Sequence, residues 1–477
     1  MESHSPNVLL LTVDCFRYDR CGFNGHSRDT TPFLDSLARE SYVFDNAYAT
    51  GPYTPESFPG ILAGLHSKDV KYSEEITCKA IPEKAPTLAE HLNNNGYRTE
   101  ATITNTHLSR NRNFDKGFEN YNNIRISQSA SMVERRKNSS SKLRRIYDNI
   151  FSFFEKKINS QSTYPNPYVP LLALQRYVQL GDWPTVPASE VIEQFQQNYT
   201  TSKSHKPIFN WLHFMDLHAP LHPDKVTWNG KGTRQMSKLK HFFADSSRIS
   251  EIYHSRYSEM YDGVLRYVDS RIENLVQIIK NQGQWDNTIL IVTGDHGEAL
   301  GERGKYDHPR HYLYDELLRV PLLVRIPGEE GNRIRSLFSL SWLHELITEI
   351  TDISRAPLPA TSGSDTHLSG EEYEGKFVLS DSVSEHGYSA AVRDEEHKLV
   401  RHTGDSIAKY INEIGAREQL FSFKLDRAET SPINMEAPAH LNTAIDEYSI
   451  QPDKVEPLND DLGQEAAGRL KQLGYIS

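Results

Sequence analysis

Asn7-Val8-Leu9-Leu10-Leu11-Thr12-Val13-Asp14 and its downstream counterpart Thr288-Ile289-Leu290-Ile291-Val292-Thr293-Gly294-Asp295-His296-Gly297 decide the fold. Each is a short aliphatic and β-branched run that ends on an acidic group. Such runs, bounded by polar clusters, read as strands buried on both faces. In open α/β sheets, ligand sites form beyond the carboxyl ends of such strands. Two carboxylates and an imidazole delivered there make a pocket for a hard divalent cation.

Outward from these two strands, helices and strands alternate. Thr31-Pro32-Phe33-Leu34 starts a helix, with Thr31 at the N-cap and Pro32 at the first helical position. Tyr42-Val43-Phe44 reads as a short strand, Glu56–Leu65 as a loop entering a helix, and Thr87–Asn94 as a helix. Gly96–Ile103 and Ile208–Phe214 read as strands. Ser250–Gln282 carries the 3.6-residue period through Tyr257, Met260, Tyr261, Val264, Val268, Ile272 and Leu275. Alternation of this kind predicts an α/β sheet. No internal repeat is present.

Residues 125–205 interrupt the rhythm. Within them, Lys142–Ile158 has apolar residues at helical spacing and basic ends. It reads as an amphipathic helix packed on the core, or as a peripheral membrane contact or lid for an anionic substrate. Arg355–Gly370, rich in Pro, Ser, Thr and Gly, reads as a linker. Beyond it, Phe377–Ser380, Tyr388–Arg393 and His397–Arg401 predict a small antiparallel sheet, and Gly463–Ile476 a terminal helix. The division expected is a catalytic unit over 1–365, with 125–205 as a variable insertion, and a C-terminal α+β subdomain over 366–477.

The 477 residues are enough for a large core, and the net charge of −11 argues against nucleic-acid binding. Three cysteines, Cys15, Cys21 and Cys78, form no paired framework and point to a reducing compartment. Met1–Pro6 carries no basic or apolar signal-peptide region, and no apolar run reaches the roughly 18 residues of a membrane span. The expectation is a cytoplasmic protein.

Asn7–Ala49 resembles the N-terminal block of the sulfatase family, within the alkaline phosphatase superfamily. Gly294-Asp295-His296-Gly297-Glu298, Gly301-Glu302-Arg303-Gly304 and Leu313–Pro321 resemble its second signature. Leu212-His213-Phe214-Met215-Asp216-Leu217-His218-Ala219-Pro220 resembles a third, and Leu473-Gly474-Tyr475-Ile476 the family ending. The resemblance covers most of the chain outside 125–205. It implies an alkaline phosphatase-like, mostly parallel central sheet with helices on both faces. It also implies a hydrolase of sulfate or phosphate esters that uses one divalent metal ion.

Carried over residue by residue, Asp14 matches the first metal carboxylate, and Asp295 and His296 match the downstream metal pair, where many sulfatases have Asp-Asn. Many sulfatases have a second Asp where this chain has Cys15, which reads as buried packing or as a soft ligand tilting the site to zinc. His218 and His308 match histidines facing the ester, with Lys305 nearby as a cation or as a solvated loop charge. The chain departs from the family at the nucleophile, a Cys or Ser that becomes formylglycine. Counting back from Ile61-Leu62-Ala63-Gly64 places Thr54 there, with Glu56 at the family Pro and Phe58 at the family Arg. Threonine cannot follow the formylglycine route. Relatives in the wider superfamily use an unmodified Thr or Ser, so Thr54 is expected to be both nucleophile and fourth metal ligand. Its plainer reading is a helix cap.

The ion expected is Ca²⁺, Mn²⁺, Mg²⁺ or Zn²⁺. The partner expected is a small anionic ester, on a glycan or a lipid head group. Two alternatives stand beside the hydrolase: a phosphotransferase acting on a glycan or lipid head group, and a non-catalytic binder of anionic glycans.

Overall fold

The computed structural model describes residues 5–72, 79–124, 185–201, 206–222, 224–225, 247–351, 377–384, 387–404 and 416–448. The helices expected over 142–158 and 463–476 and the linker expected over 355–370 lie outside the described residues.

Eight strands form the main sheet: β1 (Asn7–Val13), β2 (Tyr42–Tyr48), β3 (Arg98–Ile103), β4 (Asn120–Asn123), β5 (Ile208–Phe214), β6 (Thr288–Gly294), β7 (Leu322–Arg325) and β8 (Arg333–Ser339). Their spatial order is β8-β2-β7-β6-β1-β5-β3-β4. β7 alone runs antiparallel to its neighbours; the other pairings are parallel. Every residue of β1, β5 and β6 is buried, as expected of central strands covered on both faces.

The two faces hold separate cores. On one, α2 (Thr54–Ala63), α3 (Leu88–Asn94) and α6 (Leu343–Ile350) contribute Phe58, Leu92 and Leu346, packed against Leu10 and Ile291. On the other, α1 (Pro32–Leu37), α4 (Ala188–Thr201) and α5 (Ser247–Asn281) contribute Leu34, Phe195 and Val264, against Leu9 and Val292. Alternate residues of β1 and β6 serve alternate cores because strand side chains have a period of two.

The start of α1 departs from expectation. Thr31 stands at the N-cap but its hydroxyl donates to Asp35 and accepts from Gly22 N–H. The first amides, of Phe33 and Leu34, donate instead to the Asp269 carboxylate of α5, both at 2.9 Å. Thr87, by contrast, caps α3 as a reciprocal box with Glu90. The helix expected to follow a loop at Glu56 begins at Thr54.

The small antiparallel sheet has four strands where three were expected: β9 (Val378–Ser384), β10 (Gly387–Arg393), β11 (His397–Thr403) and β12 (Glu418–Ser422), backed by α7 (Ala439–Tyr448). It docks beside α2. Asp381 N–H donates to Thr50 carbonyl at 2.8 Å, and Ser380 Oγ to Ala49 carbonyl at 2.6 Å. Among the described residues, no helix is long and apolar enough to cross a membrane.

Candidate active site

Parallel strands put their carboxyl ends on one edge of the sheet. β1 lies between β5 and β6, with Val13 opposite Phe214 on one side and Gly294 on the other. Asp14 and Asp295 follow immediately, so adjacent strands deliver two carboxylates side by side. The chain after β6 turns sharply: a Cβ on Gly297 would lie 2.0 Å from the Glu316 carbonyl oxygen. Only glycine fits that approach, and it lets His296 and Glu298 both enter the pocket.

α2 enters the same pocket from the first core face. Its N-terminus is Tyr53-Thr54-Pro55, with proline in the first turn, and Gly64 (φ 66°) ends it in the left-handed conformation. Thr54 makes no capping bond. Its Oγ1 lies 3.0 Å from Asp295 Oδ2, 3.2 Å from Asp14 Oδ2 and 3.3 Å from His296 Nε2. Ser57 Oγ donates to the Asp295 carbonyl at 2.5 Å, pinning helix to strand end. Asp14, Thr54, Asp295 and His296, far apart in sequence, therefore surround one point, and all are fully buried.

These donors fit a divalent cation. One threonine proton faces three acceptor atoms. His296 Nδ1 donates to the Gly297 carbonyl at 2.8 Å, which leaves the Nε2 lone pair facing the cluster. Burial, then the neighbouring His308, hold His296 down to about 4, so its ring is neutral near pH 7. Burial and the Asp14 charge push Asp295 well above the ordinary carboxylate range. Burial also works against Asp14, but the rings of His213, His218 and His296 outweigh it and hold Asp14 well below that range. Two buried carboxylates this close cannot both ionise without a cation between them. His213 Nε2 is buried 3.7 Å from Asp14 Oδ2 and has no hydrogen-bond partner among the described residues.

Of the other expected residues, His308 and His218 fall beside this point. The His308 ring lies 4.8 Å from that of His296 and 5.1 Å, edge-on, from that of His218. Lys305 is half-buried in the turn three residues before His308, its carbonyl accepting from Gly301 N–H at 2.9 Å. Cys15 sits in the left-handed region (φ 60°), with its Sγ 2.9 Å from Asp14 Oδ1.

Several residues that surround the site were not singled out from the sequence. Asn105, past the end of β3, places Nδ2 3.3 Å from Asp14 Oδ2 and 3.4 Å from Thr54 Oγ1. His107 follows it; burial, then Arg112 and Arg310, hold its pKa well down. Arg310 lies over the Tyr53 ring, 5.3 Å from its centroid. Glu298, wholly buried, meets His308 Nδ1 at 3.1 Å and is pushed up to about 7 by burial. The signal for Asn105 was its place at a strand's carboxyl end.

Glu56 and Phe58, expected from the resemblance at the family Pro and Arg positions, are both partnered. Glu56 Oε1 pairs with Lys79 Nζ at 2.7 Å, both side chains wholly buried, and accepts from Val383 N–H at 2.9 Å. Phe58 packs against Trp211 and His213, each with ring centroids 5.0 Å away.

The Sulfatase family profile matches residues 6–352. An arylsulfatase of Clostridium perfringens is 24% identical over 473 residues, covering 90% of this chain and 91% of that one. An N-acetylgalactosamine-6-O-sulfatase of Bacteroides thetaiotaomicron is 21% identical over 447 residues, covering 79% of each. Among solved structures, the phosphonate monoester hydrolase of Silicibacter pomeroyi superposes with a TM-score of 0.62 at 17% identity, over 93% of this chain and 94% of that one. A 2-O GAG sulfatase does so with a TM-score of 0.60 at 15% identity, over 93% and 90%. The architecture is the alkaline phosphatase-like α/β fold shared with these structures.

Proposed function

The chain belongs to the sulfatase family and is a sulfuric- or phosphoric-ester hydrolase, and from that premise we propose that Thr54 is its nucleophile, working beside one divalent cation. A single observation carries this reading. Thr54 Oγ1 stands where Asp14, Asp295 and His296 converge, and it caps no helix.

A cation held by Asp14, Asp295, His296 and Thr54 would acidify the threonine hydroxyl and polarise the ester oxygen. The protein's own groups do the rest. Thr54 gives up its proton toward Asp295 Oδ2, and Oγ1 attacks the phosphorus or sulfur in line. The bond to the ester oxygen breaks as Thr54 becomes esterified. His218, His308 and Lys305 offset the charge that grows on the non-bridging oxygens. One histidine donates a proton to the leaving alcohol, then takes one from the water that releases the group. Asn105 holds Asp14 and Thr54 in register.

The chemistry favours phosphoryl or phosphonyl esters over sulfate. A formylglycine hydrate can expel sulfate by elimination, whereas a threonine ester must be cleaved by attack at the central atom. The ester's alcohol is proposed to be a glycan or a lipid head group, and the compartment a reducing one, consistent with the buried free thiols Cys15 and Cys21. Mixing the protein with aryl phosphate, phosphonate or sulfate, quenching in acid and mapping peptides by mass tests the reading. A phospho or sulfo group on the Thr54 peptide is expected. Full turnover by Thr54→Ala, or the adduct elsewhere, would overturn it.

A further inference from the structure

The Asp14 carboxylate faces two ways. Its Oδ2 looks toward Thr54 and Asn105, while its Oδ1 looks toward Cys15 Sγ at 2.9 Å. On that second side lies a group of donors that the proposed hydrolytic site leaves mostly unused. Cys15 Sγ is 3.7 Å from His308 Nδ1, and His308 Nδ1 is 3.1 Å from Glu298 Oε2. Cys15, Asp14 and Glu298 are fully buried, and the His308 side chain is nearly so.

We propose that Cys15 Sγ, His308 Nδ1, Glu298 Oε2 and Asp14 Oδ1 form a second cation site that takes a thiophilic divalent ion of the zinc class, with Asp14 bridging it to the first. The proposal shares Asp14 with the hydrolytic site and rests on that reading for the neighbouring ion. A tetrahedral zinc site with one sulfur, one nitrogen and two oxygens has ligand-to-ligand edges of about 3.3–3.6 Å. Three of the six edges are given by the structure, Cys15–His308 at 3.7 Å, His308–Glu298 at 3.1 Å and Cys15–Asp14 at 2.9 Å, each within about 0.6 Å of that range. Thiolate and imidazole select a borderline-soft ion over Ca²⁺ or Mg²⁺. A carboxylate bridge suits ions about 3.5–4 Å apart, the spacing of two-metal hydrolytic sites.

Charge supports the same assignment. The ion pairs described for Asp14, Asp295 and Glu298 are with histidines. With the Cys15 thiolate, these carboxylates would place four negative charges in one buried pocket, and two divalent ions balance them. Neighbours hold the ligands in place. Tyr257 OH donates to Glu298 Oε1 at 3.3 Å, on the carboxylate oxygen opposite the one near His308. Tyr261 OH donates to the Cys15 carbonyl at 2.6 Å and accepts from Arg17 N–H at 3.0 Å, fixing the left-handed turn. Binding replaces the thiol proton: Cys15–SH plus the ion gives the thiolate complex and one proton released to solvent. With His308 so engaged, His218 remains to protonate the leaving alcohol.

The test uses the full chain, stripped with chelator and reloaded with Zn²⁺ or Co²⁺. Elemental analysis should give two zinc ions per chain in the native protein and one in Cys15→Ser. The cobalt form should show a thiolate-to-cobalt charge-transfer band that Cys15→Ser abolishes. Asp295→Asn should lose an ion yet keep the band, and Thr54→Ala should keep the band, so failure of the nucleophile reading leaves this readout intact. A native cobalt form without the band, or equal zinc content in the native protein and Cys15→Ser, would overturn the second site. The native cobalt spectrum decides even where a variant does not fold.

Discussion

The strand-end side of the pocket and the α2 side were built by different rules. At the strand ends, Asp14, Asp295 and His296 stand where the resemblance implied metal ligands, and they meet at one point. On α2, Thr54, Glu56 and Phe58 stand where the resemblance implied the family's Cys or Ser, Pro and Arg. The side chains at those positions are buried and partnered. Glu56 is paired with Lys79, Phe58 packs against Trp211, and the Thr54 hydroxyl faces Asp14, Asp295 and His296. A chain decaying into a mere binder would leave such positions unpaired. On the proposed reading, the strand-end side holds the cation that sets the reaction class, and the helix side supplies Thr54 as a different nucleophile.

The sharpest way to break this comparison is Thr54→Ala. It removes the proposed nucleophile and proposed cation ligand together, and kcat should fall about 10⁴-fold or more. Thr54→Ser keeps the hydroxyl and should retain activity within about tenfold. Steady-state rates on aryl phosphate check both. Equal loss in the two variants would mean that the methyl group, not the hydroxyl, matters.

The next effect concerns stability. Lys79→Met leaves Glu56 charged and unpaired in a buried site, and should cost about 3–5 kcal/mol in chemical unfolding. The double variant Glu56→Met/Lys79→Met removes both charges and should recover most of that loss. If the single and double variants are equally destabilised, the pair is not what permits glutamate at the family's proline position.

How far was this legible? The strand-end side was readable because a buried parallel strand leaves a period-free apolar run, and Asp14 and Asp295-His296 stand where such runs stop. Thr54 was readable only by counting along the family motif; its neighbours Pro55 and Pro59 obscured the helix start that the structure places at Thr54. His213 lay inside an apolar run, and only the register Thr12 opposite His213 shows that it reaches Asp14. Glu298 reads as an ordinary loop acid until the Gly297 turn folds it inward. β12 escaped because its five residues, Glu418–Ser422, are too short to show alternation.

A pH experiment sharpens the comparison from the helix side. His344 lies on α6, which packs against α2, and neither of its ring nitrogens has a hydrogen-bond partner among the described residues. Burial, then His91, hold it down to about 4. The unfolded chain takes up that proton near pH 6.5 and the folded one only near 4, so the folded state binds fewer protons between these values. Its contribution is full above about pH 6.5 and is lost as pH falls toward 4, by about 2–3 kcal/mol. His344→Phe should flatten that part of the stability profile. An unchanged acid slope in urea unfolding would remove His344 as its source.

The smallest expected effect belongs to the residue that joins the two sides. Asn105 Nδ2 donates toward Asp14 and Thr54 at 3.3 and 3.4 Å, long bonds that are individually weak. Its own Oδ1 accepts from His107 N–H at 2.9 Å, which fixes the amide's orientation. Asn105→Ala should therefore lower kcat by about tenfold, equivalent to roughly 1.4 kcal/mol, with little change in KM. Asn105→Asp puts a third carboxylate beside Asp14 and Asp295. It should tighten cation binding while slowing the reaction, since the added negative charge repels the anionic ester. A joint loss of cation affinity and kcat in Asn105→Asp would instead mean that the amide orders α2 against the strand ends, making the two sides of the pocket mechanically one.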